Sequence, residues 1–96
     1  MKMYSVVDSA AEEYGYPFVA KTENVAVRQF RNLMEQVPEY SRKDFQLVEL
    51  GCWNADYAGQ DVNPLSVKPR VDFVCNGEEL VKIYGKLEKK DQEEIK

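Results

Sequence analysis

Apolar residues in this chain fall into short β-like blocks and two longer stretches with helical spacing. Met3 to Val7 is apolar and β-branched, as a strand requires, and stops at the turn-prone pair Asp8-Ser9. Ala10 to Tyr14 has room for one helical turn before Gly15 and Pro17 break it. Phe18 to Lys21 reads as a second short strand. From about Val25 to Val37 the period changes. Ala26, Phe30, Leu33, Met34 and Val37 recur at i, i+4, i+7, i+8 and i+11, which lines one side of a helix. Thr22 or Asn24 can cap this helix by accepting from a first-turn amide, and Pro38 ends it.

Phe45 to Trp53 is the strongest strand. Val48, Leu50 and Cys52 lie on one face and Phe45, Leu47 and Trp53 on the other, so it is central or has a second buried surface. Asn54 to Pro64 is polar, holds Gly59 and Asn63-Pro64, and reads as a loop. Val71 to Cys75 is a third good strand, with Pro69 marking its start or an edge. Asn76 is placed to cap a last helix, with Glu79 reaching back and Leu80, Ile83, Tyr84 and Leu87 as its apolar stripe. The order β-β-α-β-β-α predicts a single α+β domain over residues 1–87, an antiparallel sheet of three or four strands with two helices on one face. Residues 88–96, nearly all charged, form a tail. Phe30, Leu33, Val48, Leu50 and Phe73 are expected to share one core.

A length of 96 residues and an apolar content of 44% fit one folded domain rather than a disordered chain. Histidine is absent, which removes the usual general base, zinc ligand and pH switch. The acidic pairs Glu12-Glu13, Glu78-Glu79 and Glu93-Glu94 are adjacent and diverge on a helix, so they read as solvated charge. The serines have no histidine to activate them, and the five glycines are too scattered for a phosphate loop. No enzyme activity, cofactor or metal is therefore expected. Cys52 and Cys75 each sit in an apolar run and read as buried free thiols in a reducing compartment. No run approaches the roughly 20 apolar residues of a membrane span, and the first apolar block is too short for a secretion signal.

The net charge of −4 opposes a broad non-specific DNA footprint. Basic and aromatic residues are nevertheless interspersed. Lys21, Arg28, Arg31, Arg42, Lys43 and Arg70 can hold phosphates, while Tyr16, Phe18 or Trp53 can stack on single-stranded bases. The competing interpretation is an ordinary mixed surface with the aromatics in the core. Arg31 can also pair with Glu35 at i+4. Leu80, Ile83 and Leu87 have the spacing of a short homodimer seam, against which stands packing on the chain's own sheet.

Several blocks resemble a known family. They are Tyr4-Ser5-Val6-Val7-Asp8-Ser9-Ala10-Ala11-Glu12, Pro17-Phe18-Val19-Ala20, Ala26-Val27-Arg28-Gln29-Phe30, Asp44-Phe45-Gln46-Leu47-Val48-Glu49-Leu50-Gly51 and Trp53-Asn54-Ala55-Asp56. Their order and spacing resemble the small nonstructural protein of gokushoviruses, phages with circular single-stranded DNA genomes. The resemblance implies an accessory protein that binds single-stranded DNA during genome replication or packaging, in the bacterial host cytoplasm. A protein–protein module acting on host replication or defence factors is the alternative, and it tolerates an acidic chain. A contiguous basic stripe flanked by exposed aromatics favours the first, and an exposed apolar patch the second.

Overall fold

The computed structural model describes residues 1–56 and 63–79. Among the described residues, five strands form one antiparallel sheet: β1 (Lys2–Asp8), β2 (Glu13–Tyr14), β3 (Phe18–Ala20), β4 (Phe45–Trp53) and β5 (Leu65–Asn76). β1 and β4 are the inner strands, β5 pairs with β4, and β2 and β3 share the other side of β1. The helix α1 (Glu23–Glu35) and a 3-10 helix (Glu39–Asp44) connect β3 to β4. The class is α+β, as expected.

The sheet has one more strand than expected, because Ala10 to Tyr14 does not make a helical turn. The Asp8 carboxylate accepts from the amides of Ala10 at 3.1 Å and Ala11 at 3.2 Å, which offers the backbone an alternative to helix. Glu12 then takes a left-handed conformation, φ 56°, and the chain reverses into β2. Gly15 continues the return, its amide donating to the Val6 carbonyl at 2.7 Å.

α1 begins at Glu23, with the Thr22 hydroxyl accepting from Val25 N at 3.3 Å. Ala26, Phe30 and Met34 are buried, and with Tyr4, Ala20 and Leu47 they form the core. Val6, Phe18, Val37, Phe45 and Cys75 pack around it.

Strand pairing decides which other residues reach that core. Tyr4 opposes Glu49, Val6 opposes Leu47 and Leu47 opposes Cys75, which places these rows on the helix side. The row between them, Ser5 to Val48 to Phe73, must face the other way. The expectation of one shared core is therefore corrected. Phe30 is buried beneath α1, and Val48 is buried on the opposite face of the sheet. Phe73 is 59% exposed, Leu33 is 41% exposed and Leu50 is half-buried.

β5 starts six residues before the expected Val71 and runs through Pro69. It tolerates the proline because it is an outer strand whose ladder breaks there: Asp72 pairs with Glu49 and Val67 with Gly51, leaving residues 68–71 opposite Leu50 alone. The bulge brings Lys68 Nζ to 2.8 Å from Glu49 Oε2 and 2.6 Å from Asp72 Oδ2, while Lys2 Nζ lies 3.2 Å from Glu49 Oε1. The hydrogen bond from Lys68, with that from Lys2, outweighs burial and holds the Glu49 carboxyl below its usual range. Two cations thus offset the burial of one carboxylate.

The Asn76 side chain accepts from Glu78 N at 2.8 Å and opens the helical residues 77–79. The expected stripe Leu80, Ile83, Tyr84 and Leu87, the tail 88–96 and loop residues 57–62 lie outside the described residues.

The thiols do not form a buried pair. Cys52 is exposed near the end of β4, opposite Ser66, whereas Cys75 is half-buried opposite Leu47. Both are free, and five strand positions of about 3.4 Å separate their rows. Burial pushes the Cys75 thiol up to about 11. Under native conditions near neutral pH, a thiol reagent should label Cys52 rapidly and Cys75 slowly, resolved by mass spectrometry of the digested protein. Equal rates would contradict the difference in burial.

Candidate functional site

Two surfaces stand out, one on each side of the sheet. The first is an open groove of about 310 Å³ between the segment after β2 and α1. Gly15, Tyr16 and Phe18 line it from the strand side, and Gln29, Phe30 and Leu33 from the helix, with Val6 of β1 between. The segment is held to β1 at Gly15, whose amide donates to Val6 and whose carbonyl accepts from Ser5 Oγ, both at 2.7 Å. A side chain at Gly15 would bring its Cβ to 3.0 Å from the Val6 carbonyl, so the close approach favours glycine. Tyr16 is 96% exposed at this groove. Phe18 is half-buried, its ring centroid 5.9 Å from that of Tyr4. Leu33 escapes the core because it lines this groove.

The groove is apolar except for the Gln29 amide and the Tyr16 hydroxyl. An exposed aromatic ring beside an apolar recess suits a flat ring system, and an amide can read the edge of a base. Gln29 is absent from the residues expected from sequence. Only the folding of Tyr16 and Phe18 against α1 makes it a neighbour of the aromatics.

The basic residues are distributed over several elements and do not all remain available. Arg28 is exposed on α1, one position before Gln29. Arg31 is half-buried and pairs with Glu35 at 3.4 Å, the competing use foreseen for it. Arg42 Nε donates to the Met34 carbonyl at 2.8 Å and so satisfies a carbonyl at the end of α1. Lys21 is exposed between β3 and α1, Lys43 is exposed in the 3-10 helix, and Arg70 is exposed in the β5 bulge. Lys43 shares a shallow depression with Glu39, Tyr40 and Glu78, so its surroundings are mixed in charge.

The second surface is the side of the sheet that α1 does not cover. Trp53, 40% exposed and paired with Leu65, lies on this side and not beside Phe45 and Leu47 as expected, because the irregularity at Leu50 shifts the alternation of β4 and separates it from Tyr16 and the groove. The neighbouring rows are Val19 to Met3, Gly51 to Val67, Val48 to Phe73 and Tyr14 to Val7 to Gln46. No paired position on this face carries a charged side chain. Of its aromatic members, Phe73 was expected in the core and Tyr14 in a helical turn. The signal was present in β5, where Leu65, Val67, Val71 and Phe73 alternate with Ser66, Lys68, Arg70 and Asp72.

Among the described residues no cluster of three or more His, Cys, Asp or Glu side chains could hold a metal, and no helix is long and apolar enough to cross a membrane. No curated protein and no solved structure matches the chain. The model of one protein family, described as Phage ORF5 protein, matches residues 1–80 and takes in every described strand, α1 and the groove; the chain belongs to that family.

Proposed function

We propose that this phage accessory protein binds single-stranded DNA in the host cytoplasm during genome replication or packaging, with a base seated at the Tyr16 groove. The observation that carries this reading is Tyr16, 96% exposed beside an apolar recess with Gln29 at its margin. Arg28 and Lys21 supply phosphate contacts near α1. The resemblance to the gokushovirus nonstructural protein supports the same reading. With a net charge of −4 and a scattered set of cations, the footprint is short and a few phosphates at most are neutralised.

Fluorescence anisotropy with a short single-stranded oligonucleotide at low salt tests this. Base stacking is worth about 1–3 kcal/mol, so Tyr16→Ala should weaken binding by roughly 5- to 150-fold. Arg28→Ala should lower the slope of log affinity against log salt by about 0.7, one phosphate on a single strand. Absence of binding below roughly millimolar concentration rejects the proposal. The uncharged, exposed face of the sheet favours a second reading, a protein-binding module, because it is the apolar patch that such a module requires.

A further inference from the structure

The open face of the sheet is built the wrong way round for a monomer. An outer strand with one solvated side normally turns its polar residues to water. β5 does the reverse. Lys68 and Asp72 meet Glu49 on the helix side, while Val67 and Phe73, 64% and 59% exposed, point outward. Across the sheet the same face adds Val19, Tyr14, Trp53 and Met1, all at least 40% exposed.

We infer that this face is the dimer interface of the protein, packed against the same face of a second copy. Three observations select a copy of this chain as occupant. First, each copy carries a net charge of −4, so self-association needs a surface that brings no carboxylates together. The paired positions here are uncharged. Second, the polar groups on the face are already satisfied or lie at its margin. Ser5 Oγ donates to Gly15 O at 2.7 Å and Asn76 Nδ2 to Lys43 O at 3.0 Å, so little remains for specific recognition of a polar partner. An uncharged, apolar sheet face can pack on a copy of itself under a two-fold axis, in the aligned packing of a β-sandwich about 10 Å thick. Third, the described chain near its last residues lies on the far side: Gly77 lies against Met34 and the Arg42 carbonyl, on the side that α1 covers.

The size of the face sets the expected strength. Four strands about 4.8 Å apart, over some seven residues of about 3.4 Å, make roughly 450 Å² in plan. That is at the small end of specific interfaces, so a dimer of micromolar rather than nanomolar affinity is expected. The groove of Tyr16 lies on the other side, and the inference does not depend on DNA binding.

Sedimentation equilibrium of the full chain, without DNA, reads the result. Twice the monomer mass is expected at concentrations on the order of 100 µM. Phe73→Glu sets two carboxylates into the interface and should weaken the dimer about a hundredfold or more. Val67→Lys is an independent disruption at a second exposed site, and far-UV circular dichroism checks that both variants are folded. A wild-type protein that is monomeric throughout this range overturns the inference and leaves the face to a foreign protein or to residues 80–96. A dimer that survives both substitutions in folded protein also overturns it, by placing the contact elsewhere.

Discussion

Replacing Phe30 by Ala should cost about 3–5 kcal/mol of stability, the range for removing a buried phenyl group. Phe30 is 1% exposed and belongs to the buried cluster of Tyr4, Ala26, Met34 and Leu47. Domains are stable by about 0.05–0.15 kcal/mol per residue, so a chain this short holds roughly 5–14 kcal/mol in all. The substitution therefore removes a large share of the total, and at the low end it unfolds the protein. Urea melts followed by circular dichroism should show the midpoint falling sharply with little change in slope. Leu33→Ala, on the same helix but at the groove, should cost about 1 kcal/mol or less. Comparable losses at the two positions would mean that α1 is rotated from the orientation described.

Gly51→Ala should be nearly as damaging for a different reason. A Cβ at Gly51 would overlap the Ser66 carbonyl oxygen, with Val67 Cα at 2.9 Å and Ser66 C at 3.0 Å. These are backbone atoms of β5, which cannot rotate away as a side chain would. Overpacking commonly costs about 1–3 kcal/mol, and a backbone obstacle puts this case at the upper end. The strain falls on one strand pair, since among the described residues β5 pairs only with β4. Hydrogen exchange should therefore lose protection in β5 first, while β1 and α1 keep theirs. Unchanged exchange and an unchanged urea midpoint would contradict the close approach at this point.

The elements were largely legible in the chain because short-range rules govern them. The 3.6-residue recurrence of Ala26, Phe30 and Met34 marks α1, and Phe45 to Trp53 is apolar and β-branched enough to be seen whole. Asn76 as a cap depends only on a neighbour two residues away. The strand β2 was missed because a side chain at Asp8 decides it, and Asp8 reads as an ordinary turn residue in either case. The start of β5 was missed because Pro69 argues against a strand until an edge position and a bulge accommodate it.

The candidate site was less legible. Tyr16 and Phe18 could be picked from composition, but their neighbours Gln29 and Leu33 come from contacts across the fold. Trp53 looked equivalent to Tyr16, and the register shift at Leu50 puts it on the other face. Arg31 takes the pairing with Glu35 that its i+4 spacing offered, whereas the bond from Arg42 to the end of α1 could not be read from the chain.

By itself the sequence determined the α+β class, the positions of α1 and β4, and a β5 whose residues alternate between apolar and polar. Periodicity and capping are local, so they survive without knowledge of the partner. Only the tertiary structure decided which side of the sheet α1 covers, because β4 is apolar on both faces and either could have received the helix. Register resolved that choice: once Tyr4 stands opposite Glu49 and Leu47 opposite Cys75, every intervening side chain is committed to the other side. The apolar alternation of β5 then faces outward, and what reads in the chain as core becomes an uncovered surface in the fold.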